Sequence, residues 1–141
     1  MVKRGWDAIG GSMGLIALIM ISAVCFADTL DSGLVGAWTA SAPDCPKIFQ
    51  RLGGALAYRQ PVDKFAQAAI IAPQQILLPS GPCRVQGVSH ENGAIKVSTE
   101  CSDSISYTTQ TVQIKVKSGG EIVYSPTGDT SLDTTLVKCR L

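Results

Sequence analysis

The chain has one histidine in 141 residues, and that scarcity narrows its chemistry at once. A lone imidazole cannot build a histidine-rich metal centre. As a general base it needs a nucleophile and an orienting acid within reach. His90 stands in Ser89-His90-Glu91-Asn92, beside a turn signal. The stretch Gly87-Val88-Ser89-His90-Glu91 follows half of G-x-S-x-G, but Glu91 takes the place of the closing glycine. The H-E-x-x-H, phosphate-loop, C-x-x-C-H and calcium-loop patterns are missing too. The expectation is no catalytic residue, no metal ligand set, no cofactor and no enzyme.

Charge is equally sparse, at 16% of the chain. Setting aside residues 1–27, with Lys3, Arg4 and Asp7, leaves ten basic and ten acidic side chains. A neutral domain of this kind has no electrostatic basis for binding nucleic acid or an anionic membrane.

The first 27 residues have the layout of a signal peptide. Lys3 and Arg4 form a basic start, an apolar run extends from Met13 to Phe26, and the small Ala27 precedes the polar Asp28. We place cleavage between Ala27 and Asp28. The apolar run is shorter than the roughly 20 residues of a membrane span. Val24 stands before Cys25, where a lipoprotein signal has a small residue. The mature part is then 28–141, one domain with no membrane span, sent to the periplasm or secreted.

Four cysteines remain in 28–141: Cys45, Cys83, Cys101 and Cys139. An even number in a short exported chain reads as disulfides. Their long gaps do not suit zinc. Asn92-Gly93 is a strong hairpin signal. If Glu91 pairs with Ala94, position 83 falls opposite 102, one residue short of Cys101. A β-bulge between them, or a wider turn, corrects that offset. Cys83–Cys101 then leaves Cys45–Cys139 to join the start of the domain to its end.

The rest reads as short strands between turns. Gly33 to Ala40 is the first, and Lys47–Gln50 and Ala55–Tyr58 follow. A turn or short helix is expected over 62–66. Residues 69–72 and 75–78 flank Pro73-Gln74 as a hairpin. Ile95, Val97 and Thr99 alternate with Lys96, Ser98 and Glu100, the period of a strand wet on one face. Tyr107–Lys117 continues that pattern, with Val112, Ile114 and Val116 on one face. A turn at Ser118–Glu121 places Val123 opposite Val116. Asp28–Ser32 reads as a mobile lead-in. About eight short strands joined by tight turns predict an all-β, antiparallel up-and-down barrel.

Gly36-Ala37-Trp38 on a first strand resembles the G-x-W of lipocalin-like and avidin-like barrels. It is also similar to the start of the Inh-type metalloprotease-inhibitor barrels. Trp38, then Cys45-Pro46-Lys47-Ile48-Phe49, then three more cysteines resembles a group of short exported bacterial proteins. The barrel resemblances imply that Trp38 plugs one barrel end. The inhibitor resemblance implies that Asp28, Thr29, Leu30, Asp31 and Ser32 enter a protease cleft. The functional expectation is a non-catalytic binding domain, an inhibitor of a protease or other hydrolase with a protein partner. Its alternatives are a lipocalin-like carrier of a small apolar ligand and a structural envelope protein.

Overall fold

A computed structural model describes residues 28–141. The expected signal peptide, with Cys25 and the Ala27 side of the cleavage point, lies outside the described residues. Ten strands follow: β1 (Gly36–Thr39), β2 (Phe49–Leu52), β3 (Ala55–Tyr58), β4 (Ala68–Ala72), β5 (Gln75–Leu78), β6 (Gly81–Glu91), β7 (Ala94–Ser102), β8 (Tyr107–Val116), β9 (Glu121–Ser125) and β10 (Thr134–Lys138). Eight of them, β1 and β4 to β10, close into an antiparallel barrel. Each barrel strand pairs with the next one along the chain, and β10 returns to β1. The expected up-and-down barrel is therefore what forms. Among the described residues, no helix is long and apolar enough to cross a membrane.

Alternation along each strand decides what fills the barrel. Trp38, Ile71, Ile76, Val97, Val112, Ile114 and Ile122 belong to one buried cluster and occupy the interior. An eight-stranded barrel is just wide enough for side chains to fill, and these fill it. Thr99 is buried among them and donates its hydroxyl to the Gln110 carbonyl at 3.1 Å. That bond offsets the cost of burying a polar group in an apolar interior.

The Asn92-Gly93 turn sets the register of the longest hairpin. Both residues have positive φ, and Glu91 pairs with Ala94. The register shifts between Val85 and Gly87, and Cys83 then faces Cys101. The expected bulge thus lies at Gln86, and the Cys83–Cys101 disulfide forms with Cα atoms 3.9 Å apart.

Between β1 and β4 the chain makes an excursion outside the wall. Lys47 and Ile48, expected in a strand, instead lie in a one-turn helix, α1 (Cys45–Ile48). Pro46 explains this, since its fixed φ and missing N–H suit a first helical turn and weaken a ladder. Phe49 and Tyr58 of β2 and β3 stack at 5.4 Å and pack on the outward Ala37, Ala68 and Ile70. Cys45–Cys139 ties α1 to the residue after β10, beside the seam where Cys139 N–H donates to the Ala37 carbonyl. The two disulfides are those of an oxidising, extracellular type of compartment.

One barrel end is stoppered by the first described residues. Leu30 is only 4% exposed, and its N–H donates to the Pro73 carbonyl at 2.8 Å. Leu34 is buried beside it, and its carbonyl accepts from Trp38 Nε1 at 2.8 Å. Asp28 accepts the Val88 N–H just past the bulge, at 3.3 Å. The stretch 28–34 is thus pinned, contrary to the mobile lead-in expected. Leu30 supplies the apolar anchor that a free arm would lack.

A second departure concerns β8 and β9. Val116 pairs with Ile122 rather than Val123. Gly119 and Gly120 both have positive φ, and Lys117 N–H closes the turn on the Glu121 carbonyl. Val123 therefore lies opposite Lys115, and Val116 sits exposed at the barrel rim.

Two outcomes follow. Leu30→Ala should lower unfolding stability by about 2–4 kcal/mol, the range of large-to-small core changes, measured by urea denaturation. A loss under 0.5 kcal/mol, typical of surface substitutions, would show the segment to be unanchored. Deleting Gln86 should remove the bulge and leave a regular ladder, with Val85 still opposite Thr99 and Cys83 still opposite Cys101. Mass spectrometry after alkylation should then find both disulfides formed, whereas two free thiols would contradict the register.

Candidate functional site

The barrel has two ends of different character. At the stoppered end a cleft of about 240 Å³ lies against Leu34, Trp38, Ile95, Val116 and Lys138. Two of its polar side chains are engaged. Trp38 Nε1 is bonded to Leu34, and Lys138 Nζ donates to the Gly33 carbonyl at 3.0 Å. The same ammonium lies 5.5 Å from the Trp38 ring centre. Trp38 is thus a core residue helping to plug this end, as the G-x-W resemblance implied.

The opposite end is built differently. A second cleft of about 240 Å³ opens there among Ala68, Leu78, Pro79, Tyr124, Pro126 and Leu136, with Lys64, Gln67 and Thr134 also on its wall. Leu78, Tyr124 and Leu136 also belong to the barrel interior, so the cleft is continuous with the core. Its mouth is framed by the turns at 61–67, 79–80 and 126–133.

Tyr124 distinguishes this cleft. It follows Ile122 on the inward face of β9 and is 6% exposed. Its hydroxyl is buried with no hydrogen-bonding partner among the described residues. Burial pushes its pKa up to about 12, so the phenol is neutral and a donor at any physiological pH. The other buried tyrosine shows the contrast. Tyr58 donates its hydroxyl to the Leu77 carbonyl at 2.7 Å, and burial raises its pKa strongly as well.

Three aspartate-anchored turns stand at this end. Asp63 accepts from Phe65 N–H, Asp103 from the Ile105 and Ser106 N–H groups, and Asp129 from Ser131 N–H. The bonds from Ile105 and Ser106 lower the Asp103 pKa, and those from Ser131 lower that of Asp129. The buried Ser125 hydroxyl donates to Asp133 and fastens the 126–133 loop to β9. Each turn presents one large apolar side chain to solvent: Phe65 at 93% exposure, Ile105 at 93% and Leu132 at 52%.

The sequence-level candidates lie elsewhere. Asp28–Ser32 covers the stoppered end, with Leu30 inside and Asp31 and Ser32 outside. His90 is exposed on β6, its Nε2 3.9 Å from an Asp31 oxygen. Gly87–Glu91 is continuous strand, so no nucleophile elbow forms there. Lys96 is paired with Glu91 at 2.6 Å. The four cysteines all serve the two disulfides. Sequence reasoning missed Tyr124 and the Phe65, Ile105 and Leu132 tips. An available signal was a phenol in register with the aliphatic residues of the interior.

Tyr58 and Tyr124 also govern alkaline stability. Both pKa values are raised on folding, so the unfolded chain loses these protons first. Their contribution is whole below pH 10 and falls as pH climbs above 10, through about 12 for Tyr124 and higher still for Tyr58. A tyrosinate absorbance titration should therefore show these two phenols ionising together with unfolding. Reversible ionisation of all three tyrosines with the near-ultraviolet dichroism intact would contradict their burial.

Comparison with protein-family models, with curated proteins and with solved structures finds no match for this chain.

Proposed function

We propose that this protein is an exported, non-catalytic binding domain, periplasmic or secreted, that carries a small apolar ligand in the open end of its barrel. The observation that carries this reading is the apolar cleft beside Leu78, Tyr124 and Leu136, which reaches the core at the end opposite the one that residues 28–34 stopper. Ligand sites are typically concave and mostly apolar, with a few placed polar groups. Drug-sized ligands occupy roughly 300–1,000 Å³, so a cleft of about 240 Å³ suits a smaller molecule. The packed middle of the barrel keeps that molecule at the mouth rather than in a deep calyx. Phe65, Ile105 and Leu132 stand exposed at the same end. They give the mouth an apolar collar from which a ligand can be passed on.

The inhibitor mode has less support. An arm entering a protease cleft must leave its own domain, and Leu30 is held in the barrel core. The two disulfides support an oxidising destination and give a small carrier rigidity there.

The test is a titration with α-methylstyrene followed by methyl resonances. Leu78 and Leu136 should shift saturably, while Ile95 and Val116 at the other cleft stay still. Shifts confined to Ile95 and Val116, or none at all, would overturn the reading.

A further inference from the structure

We infer that the open-end cleft selects a neutral carbonyl compound, with the Tyr124 hydroxyl as the donor that recognises its oxygen. This rests on the carrier reading and names the ligand class for the same site.

The starting point is a side chain that makes little sense as packing alone. Tyr124 is placed as phenylalanine would be, on the inward face of β9 between Ile122 and the cleft wall. Its hydroxyl adds a polar group that is buried and unpartnered. Such a group loses its hydrogen bonds to water and gains none in return, which destabilises the fold. The same molecule shows the ordinary arrangement twice, in Tyr58 bonded to Leu77 and Trp38 bonded to Leu34. Tyr124 departs from it at the wall of an open apolar cleft.

The donor character of the hydroxyl defines its complement. Buried as it is, the phenol keeps its proton far above neutral pH. What it lacks is an acceptor, and a ligand oxygen that reaches it from the cleft, past the side chains that keep water off the hydroxyl, supplies one. The surroundings then choose between acceptors. Asp63 and Asp133 adjoin the wall residues Lys64 and Thr134, and Asp129 stands on the same loop as Asp133. With Lys64 as the single nearby cation in those stretches, the mouth is net acidic and disfavours a carboxylate. An ionised head would also lose its hydration among Leu78, Pro79 and Leu136. A ketone, ester or amide oxygen on an apolar body meets both conditions.

The inference separates from its premise by pairing two probes of nearly one shape. Acetophenone carries a carbonyl where α-methylstyrene carries a methylene. The wild-type domain should bind acetophenone about threefold to tenfold more tightly, the span of one net hydrogen bond. Tyr124→Phe should bind both probes equally, at the wild-type affinity for α-methylstyrene. Its melting temperature should equal or exceed that of wild type, since it removes an unpaired buried group. Equal binding of the two probes by wild type would overturn the carbonyl inference and leave the carrier reading standing. So would a marked fall in melting temperature for Tyr124→Phe with selectivity unchanged, which would reveal a structural partner for the hydroxyl. Failure of both probes to bind would overturn the two together.

Discussion

Four residues hold the barrel shut. β1 pairs along one edge with β4 and along the other with β10, so Gly36–Thr39 carries the seam on which closure depends. Closure matters because an open sheet of this length would present two unpaired edges to solvent. The two faces of β1 commit it to separate cores. Trp38 points into the barrel, and Ala37 faces Phe49 and Tyr58 outside. Cys45–Cys139 then fastens the outer core to the residue following β10. A crosslink spanning 94 residues also restricts the unfolded chain, with a gain on the order of 2–5 kcal/mol.

A closed barrel has no edges but keeps two ends, and here they are treated unequally. One end receives Leu30, Leu34 and Trp38, whose polar atoms are bonded among themselves and to Pro73. The other receives short turns folded around their own aspartates, which direct Phe65, Ile105 and Leu132 outward. Those turns satisfy their own backbone and do not cover the cleft. The inequality makes one end structural and leaves an open apolar cleft at the other. Tyr124 then lies at the boundary between the core and the cleft, with its hydroxyl buried and unpaired among the described residues.

Most of the barrel was legible in the sequence because its signals are local. Asn92-Gly93 fixes one hairpin, and counting back from it demands one extra residue before Cys83 can face Cys101. The bulge at Gln86 supplies that residue. Pro46 gave a helical signal that the short apolar run Ile48-Phe49 obscured. The site was hidden by one slip of register. Placing Val123 opposite Val116 turns Val123 inward and Tyr124 outward, because a shift of one residue reverses a whole strand. The two left-handed glycines at 119 and 120 close the turn one residue earlier and put Tyr124 inside. The stopper was missed for a different reason. Only one large apolar side chain, Leu30, marks Asp28–Ser32, and its socket is assembled from residues far along the chain.

The most direct measurement is a crystal structure of the oxidised domain soaked with acetophenone. The carbonyl oxygen should lie within hydrogen-bonding distance of Tyr124 Oη, about 2.5–3.0 Å, with the ring against Leu78 and Leu136. A probe seated instead by Leu34 and Val116, or a Tyr124 hydroxyl bonded to a fixed water beside an empty cleft, would contradict a ligand site at this end of the barrel.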